Sequence, residues 1–144
     1  GIFRTMAVLC LLMAASAHAA VFYVDAASTA PAPDGASWAT AYPDLQSAVD
    51  AAGAGDEVWV RAGVYRGKNR PILRMREEVA VFGGFAGGET DREARNWTEN
   101  RTILDGENSR RCVEGANTSV LDGFIVTRGR RSGGGGMSIR GTAS

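Results

Sequence analysis

Short apolar strands recurring along the chain predict an all-β fold with one small helix near its start. The arrangement expected is a stacked solenoid, with a β-sandwich or irregular barrel as the competing architecture. Three observations carry this. Val58 and Val60 flank Trp59, and Val79 and Val81 flank Ala80, a period of two in which corresponding valines lie 21 positions apart. Ile103-Leu104-Asp105-Gly106 is echoed by Val120-Leu121-Asp122-Gly123 at a spacing of 17, with Phe124 to Thr127 extending the second copy. Thirteen of the 19 glycines fall between Gly83 and Gly141, where a chain stacking strand on strand needs tight corners.

Each element follows in order. Val21 to Val24 reads as an opening strand, and Pro31, Pro33 and Asp34-Gly35 mark the connection after it as irregular. Pro43 suits a first helical position and Asp44 the positive end of a helix dipole. Leu45, Ala48, Val49 and Ala52 then recur at helical spacing until Gly53 and Gly55 end the segment. A helix over 43–52 is too short to stand alone, so its apolar stripe must lie on a folded surface. Strands follow through 58–60, 79–82, 103–105 and 120–127. The glycine run 133–136 leads to Met137 rather than to Lys and Ser/Thr, which rules out a Walker phosphate loop.

Residues 1–19 have the pattern of an export signal: Arg4, an apolar run from Met6 to Ala15, and Ala17-His18-Ala19 as the small-x-small motif. Cleavage is expected between Ala19 and Ala20, leaving 20–144 as one domain. The apolar run is about half the length needed to span a bilayer, so no transmembrane helix is expected in the mature chain. Sixteen basic residues balance 16 acidic ones, and loss of Arg4 leaves a charge near −1, which offers no attraction for nucleic acid. Cys112 becomes a lone cysteine once Cys10 is removed, and loss of His18 removes every mechanism that needs an imidazole.

Four segments carry a resemblance: YVDAAS from Tyr23, the block from Gly35 to Tyr65, VFGGFAGGETDREARNWTENRTILDG from Val81, and VLDGFIVTRG with the later GGGGM. Together they resemble the N-terminal part of secreted bacterial right-handed parallel β-helix repeat proteins, whose pectate-lyase-like fold is shared with polymorphic outer-membrane proteins. The resemblance implies that helix 43–52 caps the open end of a coil whose first rungs begin at 58–60. It also implies that further rungs lie C-terminal to Ser144, this chain being a fragment. The function implied is a secreted or cell-surface scaffold without catalytic residues, adhesin-like, with an extracellular glycan or surface protein as partner. The alternative is the opening of a polysaccharide lyase or glycoside hydrolase whose catalytic rungs lie elsewhere.

Candidate sites are few. Asp105 and Asp122 hold equivalent places in the Leu-Asp-Gly echoes, and carboxylates stacked on one face are candidates for Ca²⁺, although each also suits an Asp-Gly turn. No other cofactor is expected. Glu89, Asp91, Arg92, Glu93 and Arg95 form a charged loop that reads as a solvated face or an ion site. Arg128, Arg130 and Arg131 cluster beside a strand, without a lyase motif around them. Trp38, Trp59 and Trp97 are candidates for stacking on sugar rings, with Trp59 more simply explained as covered by the opening strand.

Overall fold

The structure is a computed structural model that describes residues 19–67, 71–130 and 137–138. It is built mostly of strands, with one α-helix, and all the paired strands run parallel. In chain order the elements are β1 (Val21–Val24), α1 (Leu45–Ala51), β2 (Glu57–Arg61), β3 (Gly63–Tyr65), β4 (Leu73–Arg74) and β5 (Ala80–Phe85). Then come β6 (Thr102–Asp105), β7 (Val113–Glu114), β8 (Val120–Asp122), β9 (Phe124–Thr127) and β10 (Met137–Ser138). They form three sheets, ordered β1-β2-β5-β8, β3-β6-β9 and β4-β7-β10. From β2 onward the chain gives one strand to each sheet in turn, three times over. Among the described residues no helix is long and apolar enough to cross a membrane.

The register explains the irregular spacing of the sequence. Glu57 pairs with Ala80, 23 positions on, and Ala80 with Val120, 40 on. Gly63 pairs with Thr102, 39 on, and Thr102 with Phe124, 22 on. From β2 onward every long interval contains the 16 residues between Phe85 and Thr102, which leave the strands as an excursion; the 36 positions from Val21 to its partner Glu57 instead hold the segment that includes α1. Val58 therefore pairs with Val81 and not with Val79, a correction of two positions that preserves the facing because side chains alternate. The 17-residue echo is not a stacked pair, since β6 and β8 belong to different sheets. Gly123, at φ +79°, also ends β8 and starts β9 in another sheet, so the second copy is two strands.

Alternation along β2 and β5 sorts the apolar residues into two cores. Val58, Val60 and Val81 join Leu73, Leu104, Cys112 and Val113 in the main core, while Trp59, Phe82 and Phe85 form a smaller cluster on the opposite side. Helix α1 packs on β1, β2 and β4 and buries Leu45, Ala48 and Val49. Each large apolar side chain buried this way is worth about 2 kcal/mol, which is what holds a seven-residue helix that water alone would melt. Asp44 is the N-cap rather than a first-turn charge: its carboxylate accepts from Ser47 N at 3.1 Å, so the helix starts at Leu45, two residues after Pro43.

The outer edge of β1 is covered. Tyr23 N donates to Gly35 O, Asp25 N donates to Tyr42 O, and Tyr42 N donates to Tyr23 O, each at 2.9 Å. Backbone groups that would otherwise invite another strand are thereby satisfied. At the far end Val120, Ile125 and Val126 of β8 and β9 are 37–45% exposed.

Candidate functional site

The three sheets meet at corners, and one corner differs from the others. Between the first and second sheets the chain turns through Ala62 on its first pass and through Gly123 on its third, but on the second it makes the excursion 86–101. This is the longest departure from the strand framework after α1, and such segments carry function more often than the frame that holds them.

The excursion is fixed at its start by Glu89. Its carboxylate accepts from the backbone N–H groups of Ala86, Gly87 and Gly88 at 2.7–2.9 Å. Partial burial works against the charge, but these three donors outweigh it and hold the Glu89 carboxyl below the usual range. Trp38 Nε1 donates to Glu89 O at 2.9 Å, tying this turn to the segment that covers β1. Beyond it, Asp91 caps the short 3₁₀ turn Arg92–Ala94 by accepting from Glu93 N at 3.1 Å.

The charged residues that follow lie on the outer aromatic cluster. The Arg92 and Arg95 guanidinium carbons stand 4.7 and 5.0 Å from the centre of the Phe82 ring. Arg92 pairs with Glu57. Arg95 reaches Gly83 O at 3.2 Å and Asp122 at 2.6 Å, with its side chain only 10% exposed. Glu93, by contrast, is 82% exposed. The loop that read as a solvated face is thus pinned by two arginines whose stems and planes cover Phe82.

Trp97 closes this arrangement. The backbone of Gly84, at φ +96°, comes so close that a Cβ there would sit 2.8 Å from Trp97 Cα. Asn96 N donates to Gly84 O at 2.9 Å, and Gly84 N donates to Thr102 Oγ1 at 2.9 Å. The Trp97 ring has the Arg95 guanidinium 5.1 Å from its centre, and the residue as a whole is 55% exposed. Of the three tryptophans, Trp59 is buried, stacked on Phe85 at 4.9 Å with Tyr23 edge-on at 5.6 Å, and Trp38 is half-buried. Trp97 alone presents a broad face to solvent.

At the foot of the excursion lies an open cleft of about 490 Å³, lined by Asp25, Arg61, Ala62, Gly63, Ala86 and Asn100 among others. Asp25 Oδ1 accepts from Ala27 N and Oδ2 from Arg61 Nη1, both at 2.9 Å. No motif in the sequence marks this pair, which are 36 positions apart. The register reveals it, because Val24 pairs with Val60 and Asp25 and Arg61 are the next residues along their chains.

Asp105 and Asp122 are not brought together. Asp122 is held by Arg95 at one corner, whereas Asp105 lies in the second sheet, bidentate to Arg128 and 3.7 Å from Arg66. The stacked carboxylate pair that suggested Ca²⁺ is therefore absent, because the echo spans a corner instead of a stack. The Arg128 hydrogen bonds, with Glu107 N, hold the Asp105 carboxyl at about 2 against burial that opposes them. Among the described residues no group of three or more His, Cys, Asp or Glu is placed to hold a metal ion. Arg131 and Gly133–Gly136 lie outside the described residues, and Ala19 and Ala20, the expected cleavage point, are both exposed. Cys112 is buried in the main core, which pushes its thiol up. No family model, no curated protein and no solved structure matches this chain.

Proposed function

We propose that this chain forms the capped opening levels of a secreted right-handed parallel β-helix, and that it serves as a non-catalytic binding scaffold for extracellular glycan. Support for the fold comes from the cyclic order in which the strands from β2 onward enter three parallel sheets, with partners 22–24 residues apart among them wherever the excursion does not intervene. Crossovers between parallel strands of one sheet are right-handed almost without exception, which supplies the hand. Helix α1 and the segment over β1 act as the cap, as a stacked fold needs where its core would meet water.

The observation that carries the binding reading is the excursion 86–101. Its Arg92 and Arg95 are turned inward onto Phe82, and its one large aromatic is turned outward. Asp105 is saturated by guanidinium and backbone donors, so it serves the frame and is not poised as an acid or a calcium ligand. The test is a saccharide array probed with protein beginning at Ala20. Saturable binding that EDTA leaves unchanged, with no release of reducing or unsaturated sugar, is expected. Sugar release would favour a polysaccharide lyase or hydrolase instead, and absence of any binding would overturn the glycan reading.

A further inference from the structure

We infer that the turn Asn96–Asn100 and the cleft at its foot form one site for a neutral polysaccharide chain, with Trp97 as its stacking platform; the inference rests on the glycan-binding reading above. The two parts are joined within five residues. Asn100 N donates to Asn96 O at 2.8 Å, closing the turn that carries Trp97, and Asn100 itself lines the cleft. Asn100 Nδ2 also donates to Gly84 O at 3.3 Å, so the turn is fastened to β5 by both its ends.

Trp97 is prepared for stacking. Arg95 lies against the ring and is itself held by Gly83 O, Asp122 and the Phe82 ring. The indole is therefore backed by a fixed group while more than half of the residue remains open. A pyranose ring offers an apolar C–H face of matching breadth, and an aromatic already held in place binds it with little further loss of side-chain freedom.

The charges of the site decide which saccharide. Arg61 is paired with Asp25, and Arg95 with Asp122, so each cation already faces an anion. Glu99 and Arg101, on either side of Asn100, are both exposed and of opposite sign. A uronate would meet no unmatched positive field here. A sugar hydroxyl is suited to this mixture, since it donates to Asp25 and accepts from Arg61 at the same time. Apart from Asp25, Arg61 and Asn100 the walls of the cleft are Ala and Gly, leaving room for a chain to lie along it.

Isothermal titration of protein beginning at Ala20 tests this with cellohexaose, laminarihexaose and xylohexaose as neutral probes and hexagalacturonate as the acidic one. At least one neutral hexasaccharide should bind, with an affinity that changes little between about 50 and 500 mM NaCl, because no counterion is released. Trp97→Ala should weaken that binding about tenfold or more while melting like the wild type, since the atoms packed on Gly84 are Cα, Cβ and N, which alanine keeps. Ala27→Gln, which narrows the exposed side of the cleft without touching Trp97, should weaken it as well. Unchanged affinity in Trp97→Ala, or a preference for hexagalacturonate that fades with salt, would overturn this site while the scaffold reading stands. Failure of the wild type to bind any saccharide would overturn both.

Discussion

The corner before the first sheet and the corner after it solve the same turning problem in opposite ways. Where the chain enters the first sheet, Gly55, Glu78 and Thr118 occupy the same place on successive passes, with φ of +87°, +58° and +52°. Gly55 N donates to Glu78 O at 2.8 Å and Glu78 N to Asn117 O at 3.2 Å, so the backbone repeats and the side chains hardly matter. Where the chain leaves that sheet, the first and third passes use a single residue and the second uses sixteen. A fold of this kind needs only that strands return in register; what happens between them is free wherever the detour finds its own packing. The entering corner meets α1 and the main core, and the leaving corner opens onto the outer face, where there was space for a second core.

The largest effect expected on this contrast comes from Gly84→Ala. It puts a Cβ 2.8 Å from the Trp97 backbone at a φ of +96°, so strain and displacement together should cost about 3 kcal/mol in a denaturant titration and release the excursion. A melt within error of the wild type would show that the excursion is not fastened where we place it.

Smaller effects separate conformation from contact at the entering corner. Nothing lies within 4 Å of a Cβ built on Gly55, so Gly55→Ala should cost about 1 kcal/mol through φ alone. Thr118→Gly should go the other way, raising stability by about 0.5 kcal/mol, because relief of a β-branched residue at φ +52° exceeds the entropy that glycine adds to the unfolded chain. Equal signs for the two substitutions would contradict the shared backbone requirement.

A pH-dependent effect concerns Asp105, at the corner between the second and third sheets. Its carboxyl is held at about 2 when folded, against 3.8 ordinarily. Above about pH 4 it is ionised in both states and its contribution is complete; as pH falls toward 2 the unfolded chain takes up the proton first, and the contribution is lost. The melting-temperature gap between wild type and Asp105→Asn should therefore narrow from pH 5 to pH 2. A gap that stays constant would place the role of Asp105 in packing and not in charge.

Much of the frame was legible in the sequence because it rests on local chemistry. Period-two valines, the apolar helical spacing over 43–52 and the glycine-rich corners act through neighbours a few positions away, and β2, α1 and β5 stand close to where they were expected, with the helix start moved from Pro43 to Leu45. The site was less legible. Charge density suggested a solvated loop at 89–95, yet Arg92 and Arg95 lie on Phe82, because a guanidinium can cover an aromatic face while its edge meets Glu57 or Asp122. The Leu-Asp-Gly echo misled in the opposite direction, since similar residues on either side of a corner look like successive levels of one stack.

What the sequence determined by itself was the helix and the strands β1, β2, β5 and β6, with β8 and β9 read as one, through side-chain periodicity, and the facing of the valines, which survives any even shift of register; β3, β4, β7 and β10, only two or three residues each, are too short to show a period. Which strands pair, that Asp25 meets Arg61, and that Trp97 alone among the tryptophans stays open were decided only by the tertiary structure. The physical reason is that pairing between parallel strands depends on the length of chain between them, and residues 86–101 lengthen it by an amount no local preference records.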